Sequence, residues 1–180
     1  FHNFDKFKRN KEIRIVKLPD FSNLPKFVDD GTGVLEMKVF DDGSVVLATP
    51  YLSRVKGPED LVPAYCDHAK KGRIDIERTP TERELDDLLF AWYVNIHVRS
   101  NGCVIARNGQ TLAVGTGEQD RVGAVEQAEI KVGNKYKGAE SMEGAVMSSD
   151  GFFPFRDAVD AATKKGVTAI VQPGGSVNDY

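Results

Sequence analysis

The sequence is poor in the residues that build metal sites and disulfide frameworks. It has two cysteines and three histidines in 180 residues, and no CxxC motif. Cys66 and Cys103 lie far apart, and Cys66 with His68, at i and i+2, cannot close a four-ligand shell without a second cluster. We therefore expect no zinc and no disulfide, as in a reduced, intracellular protein.

Long apolar runs and a large net charge are missing as well. No stretch approaches the roughly 18 apolar residues of a membrane span, and the N-terminal FHNFDKFKRNK lacks the apolar core of a signal peptide. The formal net charge of −3 gives no field that would attract nucleic acid or an anionic membrane. We expect a cytoplasmic protein that binds neither, and an anionic substrate would need local cations.

The overall composition, with 41% hydrophobic and 28% charged residues, is ordinary for one globular domain, so we treat residues 1–180 as a single domain. Alternating β-branched residues predict a strand over residues 12–18. The turn sequence Asp41-Asp42-Gly43 predicts a hairpin of residues 34–40 and 44–48. A short helix is expected around residues 61–70.

The clearest local signal opens the second half of the chain. Thr79, Pro80 and Glu82 match a capping box with proline at the first helical position. A helix is predicted from here to about Arg99. Its buried stripe is expected to contain Leu85, Leu88, Leu89, Trp92 and Ile96.

Strands and helices then alternate along the chain. Asn108-Gly109 predicts a hairpin of residues 103–107 and 111–114. A helical pattern carrying Val122, Val125, Ala128 and Val132 follows, then a polar connection over residues 133–144, a helix over 156–165 ending at Gly166, and a buried strand over 167–172. This order predicts an α/β fold in which a mixed sheet is layered with helices.

The stretch SDGFFPFRD places three phenylalanines around a proline, next to charged residues. Phe152 or Phe153 could stack on a flat ring, and Asp157 could accept hydrogen bonds from amino groups on that ring. Alternatively, the phenylalanines fill the core and Ser149 or Asp150 caps the next helix. The pattern leaves both interpretations open.

Other turns are equally open to two interpretations. Asn101 either bonds a substrate carbonyl or only its own turn. The glycine-rich residues 115–121 and 173–176 either present backbone N–H groups to an anion or simply connect a strand to a helix. Neither matches the spacing of a phosphate loop.

Four stretches resemble, in the same order, the transformylase region of the bifunctional purine enzymes. These enzymes formylate 5-aminoimidazole-4-carboxamide ribonucleotide (AICAR) and close the product to inosine monophosphate. The stretches are PTERELDDLLFAW with HVRSN, ARNGQTLAVGTGEQDRVGAV, SSDGFFPFRDAVDAA and GVTAIVQPGGS. Residues 79–180 are strongly similar to the family, whereas residues 1–78 fit loosely and form a divergent N-terminal part.

The resemblance implies the second of two cytidine-deaminase-like α/β subdomains, in a homodimer with active sites at the subunit interface. It implies formyl transfer from 10-formyltetrahydrofolate to the 5-amino group of AICAR. Asn101 matches the asparagine at the transfer centre. The residues that match substrate or folate contacts are Gln119, Arg121, Phe152, Phe153, Pro154 and Asp157. Some family members hold potassium beneath the site, where Ser100 and Asp150 are the matching contacts.

The sequence also departs from the family pattern. A Lys-His pair in a KHxxPxG-type motif and a C-terminal segment with arginine and histidine have no counterpart, so the lone chain is expected to be inactive. Asp120 replaces the usual serine, Gly151 the usual alanine and Ala158 a frequent asparagine.

These features support two hypotheses. The first is a transformylase-like subunit, acting as a homodimer or completed by a complementing subunit. The second is a non-catalytic module that binds AICAR or a related purine nucleotide, or that dimerises. A zinc deaminase is disfavoured because the HxE and PCxxC patterns are absent.

Overall fold

Two separate hairpins precede the first long helix. Strand β1 (Glu36–Val39) pairs antiparallel with β2 (Val45–Ala48) around the predicted turn, and β3 (Tyr65–His68) pairs antiparallel with β4 (Gly72–Asp75). The computed structural model describes residues 24–68 and 70–176. The strand predicted over residues 12–18 lies outside this range.

The helix predicted around residues 61–70 is wrong, because strand β3 (Tyr65–His68) lies in the middle of that segment. Pro63 has no N–H to donate to a helix and disfavours helical backbone before it. Gly72 adopts a φ of +72°, which closes the β3–β4 turn at no steric cost. Short 3-10 turns at Val28–Gly31 and Pro58–Asp60 are the helical segments of this part of the described chain.

Helix α1 (Glu82–Asn95) begins later and ends earlier than predicted. Its N-cap is Thr81 rather than Thr79, because the Thr81 side chain accepts from the Glu84 N–H and the Glu84 carboxylate accepts from the Thr81 N–H. Both threonines stand three residues before a glutamate, so the capping-box spacing alone does not distinguish them.

The buried face of α1 differs from the predicted leucine stripe. Its buried residues are Glu84, Asp87, Leu88, Ala91 and Asn95, whereas Leu85, Leu89, Trp92 and Ile96 are half-buried. The carboxylates tolerate burial because they have partners. Asp87, for example, accepts from the N–H groups of Asn108 at 2.9 Å and Gly109 at 2.7 Å.

The rest of the described chain forms a mixed sheet with helices, as predicted. The elements are β5 (Cys103–Arg107), β6 (Gln110–Gly115), α2 (Arg121–Tyr136), β7 (Val146–Ser149), α3 (Asp157–Lys164) and β8 (Ala169–Val171). The strand order is β6-β5-β7-β8. Strand β5 is antiparallel to β6 and β7, and β7 is parallel to β8.

The side chains of β5 alternate between two cores, one on each face of the sheet. Val104 and Ala106 pack with Leu88 and Ala91 of α1 on one face. Cys103 and Ile105 pack on the other face with residues of α2 and α3, including Ala124, Ala128, Ala158 and Ala162. The result is a three-layer α/β/α arrangement. Because both faces of β5 are covered, its sequence is almost continuously apolar.

Two features of the second half differ from prediction. Strand β7 was not predicted, although it is fully buried in the middle of the sheet. The predicted polar connection over residues 133–144 is wrong at its start, because α2 continues to Tyr136. The helix ending at Gly166 is confirmed as α3, and Gly166 has the expected positive φ of +89°.

No helix in the described ranges is long and apolar enough to cross a membrane.

Candidate functional site

An open cleft of about 490 Å³ lies at one edge of the four-stranded sheet. Cys103 of β5 pairs with both Gly115 of β6 and Ser149 of β7. The turn before β5 and the segments after β6 and β7 therefore leave the sheet at one edge. The nine lining residues come from these three segments: Asn101, Gln119, Asp120, Arg121, Val122, Phe152, Pro154, Phe155 and Asp157.

Asn101 is fixed by the loop that precedes α2. Its side-chain Nδ2 donates to the backbone carbonyls of Glu118 and Gln119, both at 3.1 Å. Its backbone also exchanges two hydrogen bonds with Glu118. Because both amide protons are used, Oδ1 is the atom of this side chain that can interact with a ligand, and it can only accept.

The bonds of Asn101 run to the neighbouring loop, so the interpretation that it bonds only its own turn is wrong. A ligand N–H donor suits the remaining Oδ1 better than a substrate carbonyl does.

Asp150 does not line the cleft, but it connects two of its walls. Its Oδ1 accepts from the Gly102 N–H at 3.0 Å and from Arg121 Nη1 at 2.7 Å, and its Oδ2 accepts from the Ser100 hydroxyl. Burial favours a raised pKa for Asp150, but the hydrogen bonds from Ser100, Gly102 and Arg121 outweigh it and hold the pKa below its ordinary value. The carboxylate is therefore charged at neutral pH and holds Arg121 in place.

Ser100 and Asp150 do lie together, but their arrangement does not fit a potassium ion. Both oxygens of Asp150 already accept hydrogen bonds, and the Arg121 guanidinium at 2.7 Å would repel a cation. Within residues 24–68 and 70–176, no three His, Cys, Asp or Glu side chains are grouped so that they could hold a metal.

The three phenylalanines of the SDGFFPFRD stretch divide between the cleft and the core. Phe152 and Phe155 line the cleft with 42% and 66% of their surfaces exposed, and Pro154 lies between them. Phe153 is 7% exposed and packs in the core, where its N–H donates to Gln172 Oε1 at 2.7 Å. The alternative of a core plug thus holds for Phe153, which does not line the cleft.

Both helices that start at the cleft begin with a carboxylate. Asp120 is the N-cap of α2, and its Oδ1 accepts from the Gly123 N–H at 2.7 Å. Asp157 is the first residue of α3, and its Oδ1 accepts from the Ala158 N–H at 2.8 Å. The idea that Ser149 or Asp150 caps α3 is wrong, because the N-cap is Arg156 and makes no side-chain capping bond.

The cleft brings together most of the residues singled out from the sequence and adds three. Asn101, Gln119, Arg121, Phe152, Pro154 and Asp157 line it, whereas Phe153, Ser100 and Asp150 do not. Sequence reasoning did not assign Asp120, Val122 or Phe155 to the site. Their position directly beside predicted site residues was the available signal.

The cysteines contribute no reactive thiol to this cleft. Cys103 is buried and donates to the Ala124 carbonyl at 3.3 Å. Burial raises its pKa to about 11, so it stays a protonated thiol at neutral pH.

The chain is similar to proteins of one family. The family described as "AICARFT/IMPCHase bienzyme" matches residues 7–131, which include most of the divergent N-terminal part, residues 1–78. The "Bifunctional purine biosynthesis protein PurH" of Acetivibrio thermocellus is 39% identical over 172 residues, covering 95% of this chain and 29% of that protein.

Two other relatives, also named "Bifunctional purine biosynthesis protein PurH", are more similar over a shorter range. The protein of Anoxybacillus flavithermus is 50% identical over 107 residues, covering 59% of this chain and 20% of its own length. That of Caldicellulosiruptor saccharolyticus is 50% identical over 103 residues, covering 57% and 19%. The chain spans less than a third of the length of these relatives.

Proposed function

The chain belongs to the AICARFT/IMPCHase bienzyme family, and on that premise we propose that its cleft is one wall of an AICAR transformylase active site. The proposed reaction moves a formyl group from 10-formyltetrahydrofolate to the 5-amino group of AICAR. The proposal includes a cytidine-deaminase-like subdomain and a cytoplasmic homodimer or a complementing subunit that completes the site.

The observation that carries the proposal is the shared cleft of Asn101, Asp157 and Phe152. Its volume of about 490 Å³ lies in the range of small-molecule sites, roughly 300 to 1,000 Å³. An exposed aromatic ring beside hydrogen-bond acceptors suits a flat heterocycle that carries amino groups. AICAR and the pterin of the folate both have this chemistry.

In the reaction, the AICAR amine nitrogen forms a bond to the formyl carbon, and the bond from that carbon to N10 of the folate breaks. A base removes one proton from the amine, and N10 gains one. We assign Asn101 to hold the amine, because its Oδ1 can accept one N–H bond while its Nδ2 is fixed by two carbonyls. Such positioning keeps the amine lone pair directed at the formyl carbon.

The remaining lining groups position the ligands and transfer no proton in this scheme. Gln119 can hydrogen-bond a ligand through its amide, and Phe152 and Pro154 form a flat apolar wall. None of the nine lining residues is a lysine or a histidine. We therefore assign the general base and the oxyanion donors to the chain that completes the site. No step is assigned to potassium.

A formyl-transfer assay tests the proposal. The 180-residue chain is mixed with a chain carrying the family's Lys-His motif, and AICAR and 10-formyltetrahydrofolate are added. We expect turnover with the mixture, and a fall of roughly 100-fold with Asn101→Ala. Asn134→Ala, at an exposed position of α2, is the matched control and should leave the rate unchanged. Equal rates for the Asn101 and Asn134 variants would overturn the assignment.

The absence of lysine and histidine among the lining residues also favours a second candidate, a module that binds purine nucleotide without catalysis. The same assay separates the two. The module predicts saturable AICAR binding to this chain with no turnover in any mixture.

A further inference from the structure

Two helices begin at the cleft, and each has a carboxylate of the chain at its N-terminal end. Asp120 caps α2 through a 2.7 Å bond to the Gly123 N–H, and Asp157 opens α3. A bare helix N-terminus attracts an anion such as phosphate, through its free N–H groups and its positive partial charge. Here that attraction is already offset by the two aspartates.

The charges of the lining residues also disfavour an anion in the cleft. Asp120, Arg121 and Asp157 are the charged members of the nine lining residues. The guanidinium of Arg121 lies 2.7 Å from Asp150, and their side chains are 21% and 13% exposed. Arg121 is thus already paired with a charge on the protein, and the cleft offers a ligand two carboxylates with no unpaired cation among the lining residues.

The neutral polar atoms of the wall reinforce this preference. Asn101 presents its acceptor Oδ1, since both protons of its amide are used. Phe152 and Phe155 expose apolar ring surface beside these acceptors. A flat ring with amino groups would satisfy the acceptors, whereas a phosphate would face two like charges, each unfavourable at short range.

We propose that the cleft binds the flat, amino-bearing ring of its ligand and rejects phosphate, and that Asp120 sets this specificity. This inference rests on the proposed function and specifies that the ring of the nucleotide, not its phosphate, contacts this wall. The phosphate then projects to cations on the completing chain, whose facing surface must be basic. Serine, a neutral residue, also caps helices, so capping α2 does not by itself require the charge of Asp120.

Isothermal titration calorimetry on the 180-residue chain tests this inference with three probes: AICA riboside, which lacks the phosphate, AICAR and inorganic phosphate. The riboside should bind at least as tightly as AICAR at low ionic strength, and phosphate should not compete with it. Added salt should tighten AICAR binding by screening the repulsion, and leave riboside binding unchanged.

Asp120→Ser keeps a capping hydroxyl and removes the charge. It should tighten AICAR binding by roughly three- to tenfold and leave riboside binding unchanged, as expected for one charge a few ångströms from a phosphate in water. Glu126→Gln is the matched control: it removes one charge from an exposed position of the same helix, away from the lining residues, and should change neither affinity.

The outcomes distinguish a failure of this inference from a failure of the proposed function. AICAR binding more than tenfold tighter than the riboside, or displacement of the riboside by phosphate, overturns the exclusion of phosphate while the proposed function stands. Equal effects of Asp120→Ser and Glu126→Gln overturn the role of Asp120. Failure of the riboside, AICAR and a folate analogue to bind at all overturns the proposed function together with this inference.

Discussion

Asn101 and Asp157 come from different segments of the chain and line the same cleft. The pairing of Cys103 with Ser149 produces this proximity, because the turn before β5 and the loop after β7 leave the sheet at the same edge. The distance between the two side chains thus depends on strand register. A change that shifts β5 against β7 would dismantle the cleft without touching either residue.

The Arg121 guanidinium occupies the space that a side chain at position 151 would need. A Cβ at position 151 would lie 2.0 Å from Arg121 Nη2, so Gly151→Ala should displace the guanidinium and break its bond to Asp150. We expect a loss of about 1–3 kcal/mol, the usual contribution of one hydrogen bond between charged groups. Urea denaturation measures it. In an Arg121→Ala background the same substitution should cost little, and an equal cost in both backgrounds would show that the clash lies elsewhere.

Glu84 should make the protein sensitive to acid. Burial would raise its pKa, but hydrogen bonds from Thr168, the Thr81 N–H and Arg78 outweigh it and lower the pKa from 4.5 to about 2. A lowered pKa gives stability that is present above pH 4.5 and is lost as the pH falls towards 2. The shift corresponds to roughly 3 kcal/mol of unfolding free energy at neutral pH.

Denaturant unfolding of the wild type and Glu84→Gln between pH 7 and pH 2 measures this contribution. The wild type should lose its advantage over the variant as the pH falls through this window. Glu82→Gln, at an exposed position of the same first turn, is the control. A constant difference between wild type and Glu84→Gln at all pH values would contradict the role of Glu84.

Gly115 allows β6 to approach α2 closely. A Cβ there would lie 2.0 Å from the Ala124 backbone oxygen, and because backbone cannot simply rotate away, Gly115→Ala should destabilise by about 1–3 kcal/mol. Gly133 in the same helix has nothing within 4 Å of such a Cβ, so Gly133→Ala should stabilise by roughly 0.5–1 kcal/mol. Thermal unfolding of both variants checks this, and the same sign for both would refute the close-approach argument.

Substitution of Phe153 should lower the stability of the fold, whereas substitution of Phe155 should weaken ligand binding. Phe153→Ala removes a core side chain and should cost roughly 3–5 kcal/mol of unfolding free energy. Phe155 is 66% exposed in the cleft, so Phe155→Ala should change stability by no more than about 0.5 kcal/mol and weaken folate-analogue binding roughly tenfold through lost stacking. Unchanged ligand affinity in Phe155→Ala would remove this ring from the wall.

Local turn chemistry made much of the fold predictable. Asp41-Asp42-Gly43 and Asn108-Gly109 located two hairpins because their glycines supply positive φ values of +81° and +67°. Strand β7 was missed because its four residues end in two serines, whose burial depends on partners that are distant in sequence. Ser148, for example, accepts from Asn95 of α1 at 3.1 Å.

The orientation of α1 and of the phenylalanines required the tertiary structure. Glu84 and Asp87 look like surface residues in the sequence, yet they are buried because Arg78, Thr168 and the Asn108 turn bind them. Sequence spacing likewise cannot say which of three neighbouring phenylalanines enters the core. The resemblance located the residues of the cleft, whereas the functional roles assigned to them stay predictions.

Backbone amide chemical shifts, measured while AICAR and a folate analogue are titrated into the chain, test the central claim most directly. The account predicts that the shifts that change most belong to Asn101, Gln119, Phe152 and Asp157, and that those of the exposed β1–β2 hairpin stay fixed. Changes concentrated in that hairpin, or none with either ligand, would contradict the claim that this cleft is the ligand site.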